Sequence, residues 1–189
     1  RAGVRIAEVN VNGDLGTVTG LDIALDGESG SGFEVAAAYR VAPTWDVELS
    51  LLQSSLTLRA ESATMPSLEA GDADLTVIAA TLQYRFLATS RWQPYLGVGV
   101  HSASLSGFAA SAALVAKGTE SIEFDDSVSV TALIGARFAL SDRLAVDLRG
   151  TYHDLGTDAD LIQAGNGAWG TARVDVDPWA VAAGIDVRF

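Results

Sequence analysis

The residues best suited to acid–base or nucleophilic chemistry in this chain are its two histidines, His101 and His153. A catalytic nucleophile needs a base within hydrogen-bond reach. His101 precedes Ser102, and His153 precedes Asp154. If both histidines lie on β-strands, neighbouring residues point to opposite faces, so neither pair can form a dyad. We therefore predict no catalytic residues and no enzymatic activity; a lipid-modifying enzyme is the least favoured function.

The residue patterns that bind metal ions or cofactors are also missing. The chain has no cysteine, and neither histidine has a second histidine at metal-ligand spacing. The segment Gly165-Asn166-Gly167 predicts a turn rather than a phosphate-binding loop, because no strand-to-helix context surrounds it. We predict no metal site and no cofactor.

Composition narrows the class of protein further. The formal net charge is -12 and Lys117 is the single lysine, which argues against a nucleic-acid-binding face. The 189 residues suit one domain over residues 1–189, and no run of 18 apolar residues predicts a membrane-spanning helix. Because the chain begins at Arg1 rather than methionine, we expect that an N-terminal signal segment has been removed.

The elements that must position the histidines are indicated by a period-two alternation of apolar and polar residues. From Trp179 to Phe189 every odd position is apolar, whereas the even positions are small or charged. The same alternation recurs in eight segments: 1–6, 33–40, 45–52, 77–86, 95–101, 127–138, 143–153 and 179–189. The chain is therefore predicted to be all-β.

The connections between these segments alternate in length. Short turns lie near Ala42–Thr44, Ala88–Arg91 and Ser141–Arg143, and long polar loops near Asn10–Gly32, Arg59–Asp74, Ser106–Asp126 and Gly156–Asp177. This pattern is typical of an eight-stranded antiparallel up-and-down transmembrane β-barrel. We expect it in the bacterial outer membrane, with periplasmic termini and extracellular long loops.

Aromatic residues indicate that the apolar face points outward into lipid. One aromatic band is predicted at the short-turn end and a second nearer the long loops, as in the girdles of a membrane barrel. The first band comprises Tyr39, Trp45, Tyr84, Phe86, Trp92, Phe138 and Phe189; the second comprises Phe33, Tyr152 and Trp179. Arginines and carboxylates share the opposite face and can pair inside a narrow lumen. A soluble, lipocalin-like barrel is the alternative, and the aromatic bands argue against it.

Three stretches resemble the OmpW family of small outer-membrane barrels. They are residues 125–155, with the turn Leu140-Ser141-Asp142-Arg143; residues 93–100, beginning Gln93-Pro94-Tyr95; and the ending from Val176-Asp177-Pro178-Trp179 to Phe189. The terminal Phe189 also resembles the signal read by the outer-membrane assembly machinery, which many barrels share.

The resemblance implies passive uptake of small hydrophobic molecules, with exit sideways through the wall into the membrane. Four inward leucines would then line the lumen: Leu52, Leu56, Leu105 and Leu133. A network of Arg40, Glu48, Arg85, Arg137 and Arg149 would close the periplasmic side. Pro178 cannot donate a ladder hydrogen bond and would weaken the wall there. Alternatively, the leucines only fill a small barrel and Pro178 marks the start of the last strand.

A structural or partner-binding role through the acidic loops is the second function that we consider. The partners expected overall are outer-membrane lipid and lipopolysaccharide, small hydrophobic solutes, and a partner protein of the envelope. The solute itself is not predicted by the sequence.

Overall fold

The alternating segments form a closed, antiparallel barrel of eight strands in a computed structural model, as the sequence predicts. Period-two alternation gives each strand one apolar and one polar face, which closure turns into an outer wall and a lumen. The barrel strands are β1 (Ala2–Asn10), β4 (Gly30–Ala42), β5 (Trp45–Ser62), β6 (Met65–Arg85), β7 (Trp92–Ala110), β9 (Ser127–Ala139), β10 (Leu144–His153) and β13 (Trp179–Val187).

The structure describes residues 1–10, 14–17, 23–27, 30–62, 65–110, 119–124, 127–153, 155–163, 167–176 and 179–189, and the side chains of 1–9, 30–57, 73–104, 106, 128–153 and 179–189. Within these ranges, no helix is long and apolar enough to cross a bilayer.

The first and last strands close the cylinder. β1 pairs with β13 along its whole length, from Ala2 opposite Val187 to Asn10 opposite Trp179. Closure leaves no open sheet edge, which hydrocarbon would not tolerate because unpaired backbone groups cost several kcal/mol there. The three short turns and both chain ends lie at one end of the barrel, where the Arg188 amide donates to the Arg143 carbonyl oxygen at 2.8 Å. We call this the turn end, and the opposite end the hairpin end.

The two faces of the wall differ as the alternation requires. β10 alternates regularly between exposed and buried residues, with Leu148 outside and Asp147 and Arg149 inside. The exposed large hydrophobic residues lie on the outer wall of every barrel strand, whereas the largest fully buried side chains include Arg5, Arg85 and Arg137. This inside-out distribution is the opposite of that in a soluble barrel.

The prediction of four long loops was wrong in large part. β5 and β6 run for 18 and 21 residues, about twice the roughly 9–11 residues that a tilted strand needs to cross a bilayer. They therefore continue as a hairpin through most of Arg59–Asp74. The other expected loops also contain strands: β2 (Asp14–Thr17), β3 (Ile23–Gly27), β8 (Thr119–Phe124), β11 (Leu155–Gln163) and β12 (Gly167–Val176).

These additional strands extend pairing beyond the barrel. β3 pairs with β5, and β8, β11 and β12 form a separate three-stranded sheet. The sequences of these strands show no sustained apolar alternation, so they resemble those of loops.

Candidate lumen site

A buried network of ion pairs fills the lumen toward the turn end. Seven barrel strands, or residues directly beside them, contribute side chains to this network. The charged residues of these strands point inward because they lie on the polar face of the alternation. The network contains five arginines and five carboxylates: Arg1, Arg5, Arg85, Arg137, Arg149, Glu34, Asp46, Glu48, Asp147 and Asp186. Balanced charge is what permits so many ions to be buried.

Arg5 shows how tightly the network is connected. Its guanidinium contacts four carboxylates from four other strands: Asp147 at 2.6 Å, Asp186 at 2.9 Å, Glu34 at 3.0 Å and Glu48 at 3.7 Å. Arg149 then bridges Glu34 at 3.1 Å to Glu48 at 2.7 Å. These contacts cross the lumen from wall to wall, so the network is a transverse seal rather than a lining.

Arg137 and Tyr95 complete the seal. The Arg137 guanidinium donates through Nε to Asp186 at 2.9 Å and through Nη2 to the Gln83 side-chain oxygen at 2.8 Å. It also lies over the Tyr95 ring, 4.2 Å from the centroid, in a cation–π contact. The Tyr95 hydroxyl donates to Asp147 at 2.8 Å.

Four of the predicted network residues, Glu48, Arg85, Arg137 and Arg149, are buried in the seal. The fifth, Arg40, joins the network at its outer edge, through Asp46 at 3.6 Å, and its side chain is 54% exposed at the turn-end opening. Alternation directs the Arg40 side chain inward. Because Arg40 lies close to the end of the barrel, the side chain is nevertheless in contact with water.

Alternation places the other network carboxylates, Arg1 and Arg5 on the inner face, but the sequence-based prediction did not assign them to the seal; Arg1 has the most contacts among those not singled out for that face. The Arg1 guanidinium contacts Glu48 at 2.6 Å, Asp46 at 3.0 Å and Asp186 at 3.1 Å. Its odd position in a segment with apolar even positions was the available signal.

Toward the hairpin end, the interior becomes predominantly aliphatic. The buried inward side chains there include Val9, Leu52, Leu56, Ala73, Leu75, Val77, Ala79, Ala103, Leu133 and Ala180. Leu52 and Leu133 line a small internal cavity of about 20 Å³ at the junction of the two regions, where Glu34 and Arg149 of the seal also line it. That volume holds about one water molecule, so the interior is closely packed.

Of the four predicted lining leucines, Leu52, Leu56 and Leu133 therefore point inward and are buried. The Leu105 side chain and Pro178 lie outside the described residues, so the exit at Pro178 stays a prediction.

The two histidines meet inside the barrel, which sequence reasoning did not predict. His101 on β7 and His153 on β10 are both buried, with ring centroids 4.8 Å apart in an edge-to-face arrangement. β9 lies between the two strands and places Ser129 opposite His101 and Thr131 opposite His153. Among the described residues, no group of three or more histidine, cysteine or carboxylate side chains is arranged to hold a metal ion.

The predicted aromatic bands lie on the outer wall. At the turn end, Trp45, Tyr84 and Phe86 form a chain of ring contacts with centroids 5.0 and 5.1 Å apart. Tyr39, Trp92, Phe138 and Phe189 are exposed at the same end. Tyr152 and Trp179 pack together at 5.4 Å toward the hairpin end. Their positions suit membrane interfaces, where aromatic side chains accumulate.

A closed barrel with an apolar outer wall and a charged interior defines the class of membrane-spanning β-barrels. The family model described as "Outer membrane protein beta-barrel domain" matches residues 2–189. The chain therefore belongs to this family of outer-membrane β-barrel proteins.

Three solved structures have a similar fold. The crystal structure of outer-membrane protein OprG from Pseudomonas aeruginosa is 21% identical, with a TM-score of 0.89 over 100% of this chain and 94% of that one. The solid-state NMR structure of AlkL is 19% identical, with a TM-score of 0.68 over 99% and 88%. The NMR structure of Escherichia coli outer-membrane protein W is 20% identical, with a TM-score of 0.51 over 100% and 97%. No curated protein matches the chain. The resemblance to the OmpW group is confirmed.

Proposed function

We propose that the protein admits small, neutral hydrophobic molecules passively across the outer part of the bilayer and releases them sideways into lipid. The observation that carries this proposal is the division of the lumen into an ionic seal at one end and an aliphatic interior at the other. In the proposed orientation, the turn end and both termini are periplasmic and the hairpin end is extracellular.

The seal argues against passage straight through the barrel. A solute moving past Arg5, Arg149 and Glu34 would have to separate buried ion pairs, and each unpaired buried charge costs several kcal/mol. The aliphatic interior favours apolar solutes instead, by about 25 cal/mol for each Å² of apolar surface removed from water. Because the cavity is small, Leu52 and Leu133 must change rotamer to admit a solute.

A groove in the wall supports sideways release. β4 pairs with β5 up to the pair Gly32–Ser54, and β3 pairs with β5 from the pair Gly27–Leu58, so the neighbour of β5 changes here. The groove has a volume of about 370 Å³. It is lined by the outward Phe33 and the inward Ser54 and Leu75, so it cuts into the wall. We place the exit here.

Uptake into liposomes tests the proposal. Purified, refolded protein should speed entry of neutral apolar solutes relative to protein-free liposomes, with little ion conductance. Leu133→Asp should slow entry about tenfold, because a carboxylate on the route of an apolar solute raises the barrier by more than about 1 kcal/mol.

Leu133→Met is the matched control, since it conserves volume and polarity and should retain uptake. Heat-modifiable gel migration shows whether each variant is folded. Equal entry with wild type and a folded Leu133→Asp variant would contradict the proposed route.

Partner binding at the hairpin end is a second candidate function. It is favoured by the order outside the barrel: the β5–β6 hairpin and the sheet of β8, β11 and β12 form paired structure that a channel alone does not require. Carboxylates along these strands, such as Asp158 and Asp160, would select a cationic partner.

A further inference from the structure

The opening at the turn end contains a pocket that the ionic seal does not fill. Its volume is about 290 Å³, near the lower limit for small-molecule sites, which is about 300 Å³. Three arginines and one carboxylate line it, flanked by two aromatic residues: Arg1, Arg40, Arg188, Asp46, Tyr39 and Phe189. We call it the mouth pocket.

Positive side-chain charge is in excess at the mouth pocket. The Asp46 side chain in the pocket already forms ion pairs with four guanidiniums: Arg1 at 3.0 Å, Arg85 at 3.1 Å, Arg40 at 3.6 Å and Arg137 at 3.7 Å. The ten network residues are balanced, five against five, so Arg40 and Arg188 are additional cations at the outer edge of the network.

Arg188 is available for a further partner. Its Nη2 donates to the Gln93 side-chain oxygen at 3.0 Å, and within the described residues it has no carboxylate within ion-pair distance. Burial lowers the pKa of Arg188, and the nearby charges of Arg40, Arg137 and Arg1 lower it further, against the opposing effect of Asp186. Like charges crowd this guanidinium, and an anion in the pocket would relieve the repulsion.

The position of the mouth pocket distinguishes among possible anions. Tyr39 and Phe189 are 75% and 95% exposed on the outer surface beside it. Exposed aromatic residues at this height lie at the level of lipid headgroups. A ligand that brings both a phosphate for the arginines and an apolar body for the aromatic residues fits better than a soluble anion.

We propose that the mouth pocket binds the phosphate of an anionic phospholipid from the leaflet at the turn end. Guanidinium groups bind phosphate oxygens through paired charge-assisted hydrogen bonds, and Arg40 and Arg188 supply two such forks. The acyl chains of the lipid then follow the outer wall past Tyr39 and Phe189. This binding does not depend on solute transport, so uptake and lipid binding can succeed or fail independently.

Lipid titration of the full chain in detergent micelles, followed by native mass spectrometry, tests the proposal. The probes are dihexanoyl phosphatidylglycerol, dihexanoyl phosphatidylcholine and inorganic phosphate. We expect the phosphatidylglycerol to bind at least about tenfold more tightly than either of the others, because choline carries a charge that the arginines repel. In the double variant Arg40→Gln, Arg188→Gln, phosphatidylglycerol binding should weaken at least about tenfold.

The matched control is the double variant Arg91→Gln, Arg143→Gln, which removes two exposed arginines from the turns of the same end without touching the pocket. It should bind phosphatidylglycerol like wild type. Equal loss in the control, or equal affinity for the two lipids, would overturn the proposal. Inorganic phosphate binding as tightly as the lipid would overturn the assignment of a lipid ligand. Both variants are checked for folding by gel migration.

Discussion

At the scale of single residues, Asp46 carries as many ion pairs as any described carboxylate of the lumen. Four guanidiniums lie within 4.0 Å of it, as they do of Glu48. Replacing Asp46 by asparagine conserves volume but leaves those cations facing one another in a buried site. We expect Asp46→Asn to lower the free energy of unfolding by about 3–5 kcal/mol, as when one member of a buried ion pair is removed.

Urea unfolding in lipid vesicles measures this effect. Asp142→Asn is the control, because Asp142 is exposed in the turn before β10. It should change the free energy of unfolding by less than about 0.5 kcal/mol. Similar small losses in both variants would mean that the lumen charges are screened by water rather than mutually dependent.

The residues of the lumen were only partly predictable. Alternation within one strand shows that Glu48, Arg137 and Leu133 point inward, because side-chain direction is a local property. The contact between His101 and His153 depends instead on the register of β7 and β10 against β9. One residue of slip would separate the rings, and a single sequence does not specify that register.

At the scale of elements, the same distinction separates the barrel from its extensions. The wall strands must be apolar on one face, so β10 and β13 can be predicted from the alternation in the sequence. In the hairpin beyond the wall, Arg59 pairs with Glu69 and Leu58 with Gly71, a pattern with no apolar face to detect. Propensity alone is too weak to mark such strands.

We expect that the hairpin extension is dispensable for the barrel. Replacing residues 58–71 by Asn-Gly joins Thr57 to Asp72, which are paired neighbours, through a two-residue turn. The variant should refold with heat-modifiable migration and retain uptake, although β3 loses its pairing partner. Loss of binding to an envelope partner, with uptake retained, would support the second function.

The control replaces residues 52–77 by the same Asn-Gly turn. This deletion takes Leu52 and Val77 out of the wall, and we expect it to prevent folding. Failure of the shorter replacement to fold would show instead that the strands outside the membrane stabilise those within it.

At the scale of the whole molecule, the defining property is which face meets lipid. Ile134 lies on the outer wall between the aromatic bands and is 59% exposed, whereas Leu144, at the turn end of β10, is 36% exposed. A lysine on the lipid face costs about 2–4 kcal/mol near the bilayer midplane and about 0–1 kcal/mol near an interface. Ile134→Lys should therefore destabilise the barrel in vesicles by about 2–4 kcal/mol, and Leu144→Lys by less than about 1 kcal/mol.

Equal effects of the two lysines would contradict a lipid-facing outer wall with a depth gradient. The comparison uses the same residue type in both places, so it separates depth in the bilayer from the intrinsic effect of lysine on a strand.

The seam between β1 and β13 has a consequence for how the protein reaches its native state. Its contacts join residues nearly the whole chain apart, such as Ala2 and Val187. Contacts so distant in sequence slow folding, because the ordering of the intervening chain must precede them. No cylinder can exist until β13 has been synthesised, because β13 closes the barrel by pairing with β1. Until then the chain carries two unmatched sheet edges, which makes it a substrate for chaperones and an aggregation hazard during its delivery.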